Sequence, residues 1–227
     1  MRSGFNDKEV DELVVLDIDA SRDGREPNYQ LIEEISGECF MPLAYGGGIT
    51  SVEQAKRLIR SGVEKLILNT SAIHHPDLIA DISQIFGSQA VVASIDVRKT
   101  LFGGYRTNTH SGTVETKFGL QEHVAAVVAA GAGELLINSI ERDGTMQGYD
   151  IPLIKLVVSQ VTVPVIACGG AGTVEDLAAA IRDGGASAVA AGSMFVFHGK
   201  HRAVLISYPG GDMLQTIQQA AYRETSK

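Results

Sequence analysis

Short apolar runs alternate with amphipathic segments along most of the chain. The apolar runs end in polar residues or glycine and are too short for buried helices, which indicates strands buried on both faces. The segments between them carry apolar residues at helical spacing. The pattern predicts seven strands, near 12–18, 41–46, 64–69, 90–96, 133–139, 163–168 and 187–192, and seven helices, near 28–37, 51–61, 76–86, 118–130, 150–160, 174–184 and 212–224.

Two glycine-rich segments, each between a predicted strand and a predicted helix, closely match each other. Residues 42–53 read PLAYGGGITSVE and residues 164–175 read PVIACGGAGTVE, and their identical residues lie 122 positions apart. The same offset relates residues 12–71 to residues 134–193. We interpret this as an internal duplication within a single barrel domain that covers residues 1–227.

The number of predicted strands bears on the architecture. Strand–helix units built on a half-repeat favour a (β/α)₈ TIM barrel over a doubly wound sheet, but such a barrel has eight strands and the pattern predicts seven. The strand at residues 91–99 opens the second half, and its counterpart in the repeat would precede Met1. We therefore expect an α/β barrel without its first strand, in which the edges of the first and last strands are exposed.

Composition and charge narrow the class of protein. The apolar share of 44% is sufficient for a large core, and the net charge of −8 argues against a nucleic-acid-binding surface. We expect a cytoplasmic protein, because no apolar run reaches membrane-spanning length and no signal peptide is visible. Cys39 and Cys168 are expected to stay reduced. No set of histidine, cysteine and aspartate has the spacing of a zinc site, so the sequence predicts no metal and no other cofactor.

Longer motifs occur in five segments: ELVVLD at residues 12–17, GGGI at 46–49, FGSQAVVASID at 86–96, GAGELLINSIERDGTMQGYD at 131–150 and CGGAG at 168–172. In these motifs the chain resembles the cyclase subunit family of imidazole glycerol phosphate synthase. The resemblance implies a barrel formed by half-barrel duplication, with a glutaminase subunit as its partner and source of ammonia. It also implies a bisphosphorylated ribulosyl-formimino nucleotide as substrate, which is converted to imidazole glycerol phosphate and an aminoimidazole carboxamide ribotide in histidine biosynthesis.

The region near the C-terminus looks more like one branch of that family. Residues 195–209 read FVFHGKHRAVLISYP, and this ending, with Asn138 and Cys168, is similar to proteins that work with an amidotransferase to amidinate a surface-polysaccharide sugar. Three functions therefore stay open. They are the cyclase of histidine biosynthesis, the sugar-amidinating relative, and a truncated partner of an amidotransferase without catalytic activity of its own.

Three aspartates are the candidate catalytic residues. Asp96 ends its predicted strand, and in a barrel the reacting groups stand at the C-terminal ends of strands. A carboxyl group there can exchange protons with a reaction intermediate if burial or a neighbouring carboxylate raises its pKa. The resemblance assigns the general acid to Asp96 and places Asp17 at the mouth of the barrel and Asp143 near the substrate. The family's general base, on the first strand, has no counterpart in this sequence.

The repeat also predicts two phosphate sites across the barrel from each other. Glycines between a strand and a helix N-terminus allow an anion to approach backbone N–H groups closely. Two such sites suit a substrate with a phosphate at each end. The predicted substrate-binding residues are Gly47, Gly48, Asn69, Thr70 and Ser71 in the first half, and Gly144, Gly169, Gly170, Gly192 and Ser193 in the second half.

Charged residues at strand starts mark the opposite, N-terminal face of the barrel. Glu12, Lys65 and Glu134 each begin a predicted strand. The resemblance implies that these three form a salt-bridged ring where ammonia enters, and that Glu64 faces the glutaminase. The arginine of that ring comes from the first strand in the family and has no counterpart here, so we expect an incomplete ring.

Overall fold

A computed structural model of the protein describes residues 10–198, 203–204, 208, 217 and 219. The strands of its central sheet are β1 (Leu13–Leu16), β2 (Leu43–Gly46), β3 (Lys65–Leu68), β4 (Val91–Lys99), β5 (Tyr105–Thr109), β6 (Val114–Gly119), β7 (Glu134–Ser139), β8 (Val165–Cys168) and β9 (Ala188–Val189). Seven of them are parallel neighbours in the order β1-β2-β3-β4-β7-β8-β9, and β5 and β6 form an antiparallel hairpin that pairs with β4. The seven parallel strands coincide with the seven predicted strands.

Helices follow most of the parallel strands. They are α1 (Ala20–Asp23), α2 (Tyr29–Ser36), α3 (Val52–Arg60), α4 (Thr70–His74), α5 (Asp77–Phe86), α6 (Leu120–Ala129), α7 (Ile151–Val158), α8 (Val174–Arg182) and α9 (Ser193–Val196), with a 3₁₀ turn at Ser88–Ala90 and a strand pair β10 (Phe197–His198) and β11 (Ala203–Val204). Six predicted helices match α2, α3, α5, α6, α7 and α8. The predicted helix at 212–224 lies outside the described residues, apart from 217 and 219.

Side-chain caps fix where four of the helices begin. Ser51 and Thr173 accept hydrogen bonds from backbone N–H groups in the first turns of α3 and α8. Asn28 and Asp150 do the same for α2 and α7. Such caps satisfy N–H groups that lack a partner within the helix. The four caps form two pairs at the 122-residue offset, so the repeat extends to the local interactions that start each helix.

Apolar residues pack on both faces of the sheet. The helices cover its outer face, where Leu58, Ile79 and Leu153 belong to one buried cluster with strand residues such as Leu66 and Leu135. A smaller cluster of Ala44, Ile67, Val92 and Leu136 fills the inner face. Burial on both faces explains why the strands read as continuous apolar runs.

The curled sheet forms an incomplete TIM barrel that stays open between β1 and β9. Within the described residues, each of these two strands pairs with only one neighbour of the sheet. Leu16, which lines the interior, is 44% exposed at this open side. The expectation of an α/β barrel with seven parallel strands is therefore confirmed. None of the helices in the described part of the chain has the length and apolar character needed to cross a bilayer.

Candidate functional site

The C-terminal ends of the parallel strands surround a cavity of about 390 Å³. Its volume lies in the range of small-molecule sites, and in barrels this end of the strands carries the reacting groups. Apolar residues of the inner face form its floor, and polar residues lie at the strand ends above them. The predicted site residues that line it are Asp17, Gly47, Gly48, Asn69, Thr70, Ser71, Asp96, Asp143 and Gly192, whereas Gly144, Gly169, Gly170 and Ser193 do not.

Asp96 lies at one end of a row of side chains that crosses three strands. In the sheet register Asp96 pairs with Asn138 on β7, and Asn138 pairs with Cys168 on β8. The Asn138 Nδ2 group donates a hydrogen bond of 2.9 Å to Asp96 Oδ1. Asp96 is only 9% exposed, and this burial, together with the negative charge of Asp143, raises its pKa although the bond from Asn138 lowers it. A raised pKa allows a carboxyl group to act as a proton donor near neutral pH.

Cys168 and Asp143 complete the surroundings of Asp96. Burial and the nearby carboxylates of Asp143 and Asp96 raise the pKa of the Cys168 thiol to about 12, so the thiol stays neutral. Asp143 lies on the loop after β7 and is exposed, and its backbone N–H donates to the Ser139 carbonyl at 2.9 Å. The sequence prediction gave Asn138 no chemical role, although its place directly after the LLI core of a strand would have indicated a side chain at the strand end.

The Asp17 side chain makes its contacts within the loop that follows β1. Its Oδ1 atom accepts hydrogen bonds from the backbone N–H groups of Asp19 and Ala20 at 3.3 and 3.1 Å. The same carboxylate forms a salt bridge of 3.3 Å with Arg25. These contacts stabilise the turn that leads into α1. Asp17 thus has a structural role in this loop, and its catalytic role stays a prediction.

The glycines of the first predicted phosphate site are required by close backbone packing. Gly47 and Gly48 have φ angles of 128° and 69°. A Cβ atom on Gly47 would lie 2.5 Å from the Asp17 carbonyl oxygen, and one on Gly48 would lie 2.4 Å from the Arg25 carbonyl oxygen. Only glycine fits such positions. The resulting turn brings the Gly47–Gly48 backbone to the wall of the cavity.

The polar side chains of the first site already have protein partners. Asn69 Nδ2 donates to the Ser94 carbonyl at 2.9 Å, and the Ser71 hydroxyl donates to the Ile49 carbonyl. Thr70 Oγ1 accepts a hydrogen bond of 3.2 Å from the His110 backbone N–H. At the start of α4, the Ala72 N–H donates to the carbonyl of the N-cap residue Asn69 at 3.1 Å.

The glycines of the second predicted site are divided between two places. Gly169 and Gly170 have φ angles of 85° and 110° and lie beneath the loop after β7. A Cβ atom on Gly170 would approach the Gly148 carbonyl oxygen to 2.3 Å, and one on Gly169 would lie 2.7 Å from Asn138 Oδ1. Gly144 lies instead beside Ser193, because a Cβ atom on it would be 3.8 Å from the Ser193 hydroxyl. Gly169 thus makes room for Asn138.

The β5–β6 turn covers part of the cavity mouth and was not predicted. Ser111 lines the cavity, and its hydroxyl donates to the Ile18 carbonyl. Arg98 Nη2 and Asn108 Nδ2 both donate to the Gly112 carbonyl, at 3.4 and 3.1 Å. Alternating residues at 105–109 and 114–118 on either side of His-Ser-Gly would have indicated this hairpin.

The opposite, N-terminal face carries the predicted charged cluster. Lys65 Nζ lies 2.8 Å from Glu12 Oε2 and 2.9 Å from Glu134 Oε1. Burial lowers the pKa of Lys65, but the hydrogen bonds that Lys65 donates to both carboxylates outweigh this effect and leave the pKa raised. The three side chains are thus in contact, whereas their role in ammonia entry stays a prediction. Glu64 is exposed and borders a second cavity of about 180 Å³, next to Phe40, which is 88% exposed.

Metal binding has no candidate among the residues that the structure describes. No group of three or more histidine, cysteine, aspartate or glutamate side chains there is arranged to hold a metal ion. Cys39 and Cys168 are both free thiols.

Known proteins match this chain along most of its length. The family described as Histidine biosynthesis protein matches residues 1–202. A Pseudomonas aeruginosa protein, provisionally named imidazole glycerol phosphate synthase subunit hisF2, is 55% identical over 205 residues, which are 90% of this chain and 82% of that protein. A Leptospira borgpetersenii protein, provisionally named subunit HisF of the same synthase, is 48% identical over 208 residues, 91% of this chain and 82% of that protein. The imidazole glycerol phosphate synthase subunit HisF of Chlorobaculum tepidum is 45% identical over 193 residues, 85% of this chain and 76% of that protein.

Proposed function

Because the chain belongs to the HisF family of histidine biosynthesis proteins, we propose that it is the ammonia-using cyclase subunit of an imidazole glycerol phosphate synthase. The observation that carries the proposal is Asp96, a buried carboxyl group with a raised pKa that lines the cavity at the strand ends. In this role Asp96 gives a proton to the bisphosphorylated ribulosyl-formimino nucleotide as it is cleaved and closed to the imidazole ring.

The two halves of the cavity wall support a substrate with phosphate groups at both ends. Gly47, Gly48 and the start of α4 lie in the first half, and Gly192 lies in the second half. Gly144 and Ser193 adjoin Gly192 and extend the second site. Backbone N–H groups at these turns bind the phosphates without a metal ion.

Ammonia would come from a glutaminase partner bound to the N-terminal face. The cluster of Glu12, Lys65 and Glu134 lies at the entrance of the barrel, and the apolar inner face leads from it to the cavity. Neutral ammonia, unlike ammonium, passes an apolar interior without a large desolvation cost. Exposed Phe40 beside Glu64 offers the partner an apolar anchor with a polar rim.

A second candidate function is the amidination of a surface-polysaccharide sugar. Asn138 and Cys168, the two residues that are similar to that branch, both lie in the row beside Asp96 and both line the cavity. Substitutions next to Asp96 change which substrate fits the cavity. Asn138 and Cys168 would therefore select a different substrate in this function.

The test is a turnover assay of the 227-residue chain with ammonium salt in place of the glutaminase. Release of aminoimidazole carboxamide ribotide from the bisphosphorylated nucleotide supports the cyclase. Ammonia-dependent conversion of an acetamido sugar nucleotide, without activity on the first substrate, supports the amidinating function instead. If neither substrate reacts while the chain still binds a glutaminase, both enzymatic proposals are wrong and the chain is a non-catalytic partner.

A further inference from the structure

A second asparagine faces Asp96 from the side opposite to Asn138. In the antiparallel pairing of β4 with β5, Asp96 lies directly across from Asn108. Residues paired in this way extend their side chains from the same face of the sheet, with Cβ atoms about 5 Å apart. Asp96 therefore stands between two side-chain amides, one on β7 and one on β5.

The two amides offer Asp96 different hydrogen-bonding groups. Asn138 presents its Nδ2 donor to Asp96 Oδ1 at 2.9 Å. Asn108 uses its own Nδ2 for the Gly112 carbonyl, so that its carbonyl oxygen is the group left over. Asn108 is only 3% exposed, and its Oδ1 atom has no hydrogen-bond partner among the described residues. A buried acceptor without a donor is costly, and the carboxyl group of the cross-strand neighbour Asp96 becomes a donor when it is protonated.

We propose that Asn138 and Asn108 are the positioning residues of Asp96, each matched to one of its two protonation states. The Asn138 amide donates to the ionised carboxylate, and the Asn108 carbonyl accepts from the protonated carboxyl group. Asp96 then gains and loses a proton without rotating, because a partner for each state is already in place. The catalytic part of this inference rests on the proposed function, whereas the titration of Asp96 does not.

None of the charged and titratable groups described around Asp96 takes over the hydrogen-bonding role of Asn138 or Asn108. Asp143 approaches from the loop after β7, and its negative charge raises the pKa of Asp96. Cys168 approaches from β8 and stays neutral, because burial raises the pKa of its thiol. On β4 itself Arg98 points to the Gly112 carbonyl, and across from it on β5 lies Arg106. From β3, the nearby Asn69 is uncharged and donates to Ser94.

The experiment measures the pKa of Asp96 by the carboxyl ¹³C shift in the full chain with labelled aspartate, assigned by its loss in Asp96→Asn. Asn138→Leu removes the donor and should raise the pKa of Asp96 by about one to two units. Asn108→Val removes the acceptor and should lower it by about half to one unit. Opposite shifts are the signature, because a general change in burial would move both variants in the same direction.

Threonine at either position keeps a hydroxyl group that can donate or accept. Asn138→Thr and Asn108→Thr should therefore return the pKa of Asp96 toward its original value. These two variants also replace Asn138→Leu and Asn108→Val in the test if an apolar variant fails to fold. Cys168→Ala, on the far side of Asn138, is the matched control and should leave the pKa unchanged. Shifts of the same sign in Asn138→Leu and Asn108→Val, or no shift in either, would overturn the proposal.

Turnover adds a second measurement. If Asp96 is the general acid, kcat falls as pH rises through its pKa, so this limb should move to higher pH in Asn138→Leu and to lower pH in Asn108→Val. If the ¹³C shifts move as expected but the chain has no turnover, the proposed function fails and the two positioning residues stand. If kcat is normal and the ¹³C shifts do not move, the positioning role fails alone.

Discussion

Residues 12–71 and residues 134–193 build the same elements at the same spacing. Adding 122 to the bounds of α2 and α3 gives the bounds of α7 and α8. The same addition relates β1 to part of β7 and β2 to β8. Even the glycines after β2 and β8 share positive φ angles. The two halves thus use one scaffold twice.

The halves differ where the strands end at the cavity. Leu16 at the end of β1 corresponds to Asn138, and Gly46 at the end of β2 corresponds to Cys168. Residues on the outer face must fit the covering helices, so their size and polarity are constrained in both copies. Residues at the cavity do not pack against the covering helices, so their size and polarity are not constrained by this packing. The comparison shows that the chemistry of the second half could diverge without any change in the scaffold.

Each half also secures its cavity loop with an arginine from a different position. Arg25 pairs with the Asp17 carboxylate in the first half. In the second half Arg142 Nη1 donates to the Gln147 and Gly148 carbonyls, at 3.2 and 2.8 Å. Asp17 and Arg25 correspond to Ser139 and Gln147, and Arg142 corresponds to Ala20, so neither half can form the bonds of the other. The same loop shape is therefore stabilised by unrelated contacts.

The largest effect is expected from Asp96, which lies outside both matched segments. Asp96→Asn keeps the shape of the side chain but removes the carboxyl group that is proposed to give the proton. Turnover with ammonia should fall ~10²–10⁴-fold, while KM should change little, because the phosphates are bound elsewhere. Steady-state kinetics of the full chain measure this, with Glu141→Gln, an exposed acid on the loop after β7, as the control. Turnover close to the original in Asp96→Asn would contradict a role in proton transfer.

His123 on α6 is also outside the matched segments, and its burial predicts that the fold loses stability in acid. It is 3% exposed, neither ring nitrogen has a partner in the described structure, and burial lowers its pKa to about 4. The unfolded chain binds a proton near pH 6.5 and the folded chain only near pH 4, so stability is complete above pH 6.5 and is lost as the pH falls toward 4. The free energy of unfolding should drop by about 2 kcal/mol between pH 7 and pH 5.

Urea unfolding at both pH values measures this drop in the original chain and in His123→Leu. The leucine variant should lose that part of the pH dependence, because nothing at position 123 can then take up a proton. His75→Leu, at an exposed position, is the control and should keep it. An equal pH dependence in the original chain and in His123→Leu would show that His123 is protonated without cost in the fold.

Much of the fold could be predicted because it depends on local patterns. The strands are buried on both faces and read as apolar runs, and the helix starts carry capping residues such as Ser51 and Thr173. The hairpin β5–β6 was missed because three consecutive residues at its turn, His110, Ser111 and Gly112, have positive φ angles that only the last one suggests by its type.

The site could be predicted only in part, for a physical reason. The repeat identified glycines after β2 and β8, but not whether a ligand or the protein's own backbone approaches them. Gly170 faces the Gly148 carbonyl, and Gly169 faces Asn138. Asn108 comes to Asp96 through the register of a hairpin that was not predicted. Contacts of this kind depend on strand pairing, which a pattern along one segment does not encode.

Asn28 and Asp150 are matched caps whose substitutions should differ in cost. Asn28→Ala removes one bond to the Leu31 N–H and should destabilise the chain by about 1 kcal/mol. Asp150 accepts from the Leu153 N–H and also from Tyr105 Oη, at 3.1 Å each, and is 7% exposed. Asp150→Ala should therefore cost about 2 kcal/mol, measured by urea unfolding. Tyr105→Phe, made in the original chain and in Asp150→Ala, isolates the hydrogen bond from Tyr105 to Asp150. Equal costs for Asn28→Ala and Asp150→Ala would mean that this bond contributes nothing.

Ser71 and Ser193 occupy the same position in the two halves, at the start of α4 and of α9. The Ser71 hydroxyl is buried and donates to the Ile49 carbonyl, so Ser71→Ala should cost about 1 kcal/mol in urea unfolding. Ser193 is half-buried beside Gly144, and Ser193→Ala should change stability by less than about 0.5 kcal/mol.

Inorganic phosphate should affect these two variants in the opposite order: Ser193→Ala, the smaller change in stability, should show the larger loss of stabilisation by phosphate. A ligand that binds only the folded chain raises its melting temperature by mass action. The Ser71 hydroxyl is already committed to Ile49, so Ser71→Ala should keep the rise caused by inorganic phosphate. Ser193→Ala should lose part of it, because its hydroxyl is the group proposed to face the second phosphate. A full rise in Ser193→Ala would remove Ser193 from the site and leave Gly144 and Gly192 to bind the phosphate through their backbone. Loss in both variants would mean that the two halves bind phosphate alike, and that the divergence is confined to the row of residues around Asp96.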